Sequence, residues 1–168
     1  MFHNNGPLCI EQQIADEIMA TVHRLQLPFK LDELTEGLGN CFPIAIIQQL
    51  RRPEILNQLR PTTRRLVRYG AGHTLLRQNV HQFIMKSKSP RVAALRLQYE
   101  ETDGLVSGEN WNQYWTRMIT DKTWVEYWFV QATAWYLQLD IWIIATSNTE
   151  NSPYIEVNGN TLSIPAPY

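Results

Sequence analysis

The spacing of apolar residues changes once along this chain, at Asp140. Upstream it is helical. Ile14, Ile18, Val22 and Leu25 recur within residues 11–26. Leu76, Val80, Phe83 and Ile84 recur within 73–87, and Trp111, Tyr114, Trp115 and Met118 within 111–119. Residues 124–139 carry the strongest stripe, Trp128, Ala132, Trp135 and Leu139. Downstream, Ile141-Trp142-Ile143-Ile144 is a short β-branched run, the pattern of a buried strand. Tyr154–Val157 and residues 161–164 flank Asn158-Gly159, a hairpin signal. Helices first and strands last predict an α+β fold.

The 168 residues suit a single domain, and 44 % of them are apolar, enough for an ordinary core. Two cysteines, Cys9 and Cys41, show neither a disulfide framework nor a metal knuckle. No metal or cofactor is expected. The N-terminus lacks a signal-peptide pattern and no apolar run has the length of a membrane span. The expectation is an intracellular, cytoplasmic monomer.

Cys41 stands where chemistry can be placed. Leu38-Gly39-Asn40-Cys41-Phe42-Pro43 leads into Ile44-Ala45-Ile46-Ile47, a helix predicted to run to about Leu50 and to be central, since it has little polar contrast before Gln48. Pro43 suits a first turn. A helix N-terminus favours thiolate over thiol and offers N–H groups to an oxyanion. The alternative is a packed structural thiol.

Three blocks carry a family resemblance. Gly39-Asn40-Cys41-Phe42 resembles the nucleophile motif of the ovarian tumour (OTU) family of papain-like deubiquitinating cysteine proteases. His73-Thr74-Leu75-Leu76-Arg77-Gln78-Asn79-Val80 is similar to its second block. The run from Trp111-Asn112-Gln113-Tyr114-Trp115 through Thr123-Trp124 and Ala132 to Asp140-Ile141-Trp142-Ile143-Ile144 is similar to its third. The resemblance covers residues 35–165. It implies a papain-like fold of the OTU type, with a small sheet packed by helices and Cys41 opening the central helix. It also implies thiol hydrolysis of the isopeptide bond between a lysine and the C-terminal glycine of ubiquitin or a ubiquitin-like protein.

Within that resemblance Cys41 is the nucleophile, and backbone N–H groups of Leu38, Gly39, Asn40 and Cys41 form the oxyanion hole. Leu38 stands where the family usually has Asp. Trp124 and Glu126 are candidates for the substrate channel. Glu33, Glu36, Glu126 and Asp140 are candidate acids for a basic ubiquitin tail. The family's general base is a histidine on a strand after the final hairpin, followed by an aromatic, and the chain reaches Tyr168 without one. His73 falls on a non-catalytic family position; His3, His23 and His81 match no motif. The base is therefore unassigned. The expectation is a single OTU-like domain over 1–168, truncated before its catalytic histidine strand and weak or inactive alone. The alternative is an OTU-like pseudoenzyme that binds ubiquitin or another protein.

Residues 51–96 hold eleven basic residues and one acid, Glu54. Arg51, Arg52, Arg60, Arg64, Arg65 and Arg68 are candidates for a nucleic-acid patch. No aromatics are interleaved among them, so the segment reads as a solvated face, broken by Pro53 and Pro61, and nucleic acid is not expected as a partner. The six tryptophans, all between Trp111 and Trp142, read mostly as core.

Overall fold

The computed structural model describes residues 7–24, 26, 39–68, 70, 72–144, 154–157 and 159. The chain divides into two compact units. One joins the N-terminal segment to residues 142–156; the other, residues 35–141 and 157–168, carries Cys41.

In the first unit, α1 spans Pro7–Arg24. Ala15 and Val22, two turns apart, are each 2 % exposed. Gln26 takes a left-handed φ of 54° and its N–H donates to the His23 carbonyl at 3.1 Å. A left-handed residue thus stops the helix ahead of Pro28. Strands β1 (Ile141–Ile144) and β2 (Tyr154–Val157) pair with each other in a two-stranded ladder. Asn158 and the strand expected at 161–164 lie outside the described residues.

The second unit is built from helices. They are α2 (Cys41–Leu50), α3 (Pro53–Leu56), α4 (Pro61–Arg64), a 3-10 turn at Arg65–Val67, α5 (Gly72–Lys86), α6 (Pro90–Glu101), α7 (Asp103–Ser107), α8 (Trp111–Met118) and α9 (Tyr127–Leu137). Pro53 and Pro61 start helices where breaks were expected. Each follows an arginine in extended conformation and sits at a first helical position, where no N–H is missed. Leu59, Thr63 and Leu66 carry this basic segment into the core. Ser89 caps α6, and a reciprocal Asn110–Gln113 capping box starts α8.

Aromatic side chains from α6, α8 and α9 form the core. Tyr99 lies 5.0 Å from Tyr114 and 5.6 Å from both Trp111 and Trp128, ring centre to ring centre. Trp115 reaches Phe129 at 5.8 Å, and Phe129 meets Phe42 of α2 edge-on at 6.3 Å. Such pairs contribute about 0.5–1.5 kcal/mol each beyond area burial. Trp111, Trp115, Trp128 and Trp135 are buried, as expected for core, whereas Trp124 and Trp142 are exposed.

These features overturn the α+β, papain-like arrangement. The described residues are predominantly helical, and their β structure is two four-residue strands paired only with each other. The buried cluster of residues 47–137 is carried by helices and the segments between them. Nor is the Cys41 helix central. Nine of the 11 residues of α9 are buried, whereas α2 buries only Pro43, Ile47 and Leu50. Trp124, expected to open the last helix, precedes it in a loop. No described helix is long and apolar enough to cross a membrane.

Candidate functional site

Gly39 and Asn40 bring the chain into α2, and both are fixed by the loop after α8. Gly39 has φ 83°, and a Cβ there would fall onto the backbone carbonyl of Lys122. Glycine is therefore required twice over, for its conformation and for the close approach. Asn40, 8 % exposed, accepts from the Lys122 N–H at 3.1 Å and donates to Asp121 Oδ1 at 2.7 Å. Asparagine at an N-cap ordinarily accepts from the first turn of its helix. Here the side chain is turned away, and no side chain caps α2. Among the described residues the N-terminus of α2, which Cys41 opens, therefore has no side-chain cap.

Arg77 of α5 ties the three sequence blocks together. It is 1 % exposed. Nη2 donates to the Gly39 carbonyl at 2.9 Å, to Asn40 Oδ1 at 3.1 Å and to the Thr123 carbonyl at 2.6 Å. Nη1 donates to the Met118 carbonyl at 2.7 Å, at the C-terminus of α8. One planar fork thus binds the loop before α2 and both ends of the turn that follows α8. Burial pulls the guanidinium below its ordinary pKa, and Asp121 and Cys41 oppose that shift. The hydrogen bond from Asn40 holds the Asp121 carboxyl below its ordinary range, with smaller help from His73 and Lys122.

The other expected site residues are placed as follows. Cys41 is half-buried and unpaired by any disulfide. Trp124 is 62 % exposed and follows Thr123, whose carbonyl Arg77 holds. Glu126 faces Arg117, at 3.2 and 3.3 Å, and Arg117 also grips Glu109 through two short bonds. Glu126 is thus committed to an ion-pair network. Asp140 accepts from the Gly159 N–H at 2.9 Å. Leu38, Glu33, Glu36 and His3 lie outside the described residues.

His73 Nε2 lies 3.9 Å from Asp121 Oδ1, so the histidine meets the partner of Asn40. Among the described residues no hydrogen bond or ion pair joins a histidine to Cys41. Sequence reasoning gave no role to Arg77 or Asp121. The available signal was the position of Arg77 itself, next to Leu76 and one turn from Val80 on the inward side of α5. A charge there needs internal partners.

The chain was compared with protein-family models, curated proteins and solved structures, and none matches.

Proposed function

We propose that this chain is an OTU-like cysteine hydrolase acting at the C-terminus of ubiquitin or a ubiquitin-like protein, with Cys41 as nucleophile. The observation that carries the reading is the diversion of Asn40. Its side chain is spent on Asp121, Lys122 and Arg77, and the first turn of α2 is left uncapped next to a half-buried thiol. The convergence of all three sequence blocks on Arg77 supports it further.

In this reading Cys41 Sγ attacks the carbonyl carbon of the terminal glycine, and the N–H groups at the start of α2 receive the developing oxyanion. Trp124, exposed beside the same loop, flanks the approach of the glycine tail. The thiol proton must pass to an imidazole and on to the leaving amine. Because no described histidine contacts Cys41, the chain alone should react slowly.

The same absence favours a second reading, a ubiquitin-binding module without turnover. Ubiquitin carrying a C-terminal propargylamide separates the two. The hydrolase reading expects a slow covalent adduct that is lost in Cys41→Ala. Binding to unmodified ubiquitin with no adduct would favour the module. An adduct that persists in Cys41→Ala would overturn the role of Cys41.

A further inference from the structure

The arginine-rich residues 51–68 acquire in three dimensions the aromatics that they lack in sequence. A groove of about 660 Å³ runs between α4, the 3-10 turn, α5 and α9. Arg60, Arg65 and Lys86 line it, all three exposed, and no carboxylate among the described residues does. Two rings stand in the same groove, Phe83 from α5 and Tyr136 from α9. Their centres are 5.9 Å apart and their planes 57° apart.

These rings are held in place. Asn79 Nδ2 donates to the Tyr136 hydroxyl at 3.2 Å, and Arg60 Nη2 donates to the Tyr136 carbonyl at 2.6 Å. Both residues are half-buried and line the groove. Arg65 and Lys86 have no acid partner among the described residues. The surrounding stretch, residues 51–96, offers a single acid.

Cations alone would accept any polyanion. Cations with an aromatic pair and side-chain amides fit a ligand that alternates phosphates with flat, hydrogen-bonding rings. The same segment also lines a second basic hollow of about 360 Å³, with Arg51, Arg64 and Arg68. Two basic hollows on one segment suit an extended ligand better than an isolated nucleotide.

We propose that this groove binds single-stranded nucleic acid, with phosphates on Arg60, Arg65 and Lys86 and a base stacked on Phe83 or Tyr136. The site is separate from Cys41 and does not depend on the reading of that residue.

The test is fluorescence anisotropy of the whole chain with fluorescein-labelled oligo(dT) and oligo(rU) of about 12 nucleotides, over a salt series. Binding should weaken as salt rises. Arg65→Gln/Lys86→Gln should lower affinity and reduce the slope of log K against log salt by about 1.4. Arg96→Gln/Lys122→Gln, which removes equal charge at exposed residues of the same unit that do not line the groove, should leave that slope unchanged. Phe83→Leu should weaken binding roughly tenfold at every salt concentration. Circular dichroism confirms folding, and the two exposed-cation variants keep the test valid if Phe83→Leu fails to fold. Absence of binding at low salt would overturn the proposal. So would equal losses in the two charge-matched variants, a blunt duplex bound as tightly as the single strand, or a polyglutamate that displaces the oligonucleotide at equal charge concentration.

Discussion

Arg77 Nη2 donates to the Gly39 carbonyl at 2.9 Å, joining residues 38 apart in sequence. Because the same guanidinium also satisfies Met118, Thr123 and Asn40, its removal leaves several buried acceptors without donors. Arg77→Leu is expected to cost about 3–5 kcal/mol in urea unfolding. Arg77→Lys keeps the charge but replaces a planar fork with a point donor that cannot span both ends of the turn, so it should recover less than half of that loss. A lysine variant as stable as the parent would contradict the clamp.

Gly39→Ala asks a different question of the same loop. The new Cβ would have to enter space held by the Lys122 backbone and adopt φ near 83°. The expected cost exceeds about 2 kcal/mol. The loop should also part from residues 121–123 before the helical core melts. Hydrogen exchange would then rise at 39–42 and 121–123, with α9 still protected. Uniform loss of protection would argue that the loop and the core are one cooperative unit.

Much of this helical order is legible in the sequence, because one buried stripe per helix leaves a periodic trace. Cys41–Leu50 begins and ends as predicted, and Trp111, Tyr114, Trp115 and Met118 bury as their spacing implies. The misjudged sheet has a physical cause. A β-branched run such as Ile141–Ile144 marks a strand but carries no count of the partners that strand will find. The central helix was misassigned for a related reason. Both α2 and α9 are apolar on most sides, and only the packing decides which is enclosed. The clamp was hidden because it relies on backbone carbonyls, which every sequence has. Likewise, Tyr136 meets the basic segment from a helix far along the chain.

If Cys41 is the nucleophile, the residues around it should separate by role in the propargylamide assay. Asn40→Ala deletes the bonds to Asp121, Lys122 and Arg77, so labelling should fall roughly tenfold or more through misplacement of the loop. His73→Gln removes only a partly exposed contact at 3.9 Å and leaves the Asn40–Asp121 bond intact. Its labelling rate should stay within about twofold of the parent. A collapse of labelling in His73→Gln with folding unchanged would make His73 the missing base.

Stability should decline in two stages on acidification. Burial pushes the His81 imidazole below its ordinary 6.5. As pH falls through that value the unfolded chain takes up the proton first, so folding loses free energy until the folded-state value is passed. Glu109 behaves as a paired carboxylate, held below its ordinary 4.5 by hydrogen bonds from Arg117. Its contribution is complete above 4.5 and fades as pH falls through the lower folded-state value. Urea midpoints followed by tryptophan fluorescence from about pH 8 to pH 3 should therefore show an upper decline abolished by His81→Gln. A lower decline should be flattened by Arg117→Gln, which leaves the upper one in place. Two declines that both survive His81→Gln would show that burial of this imidazole does not set the upper one.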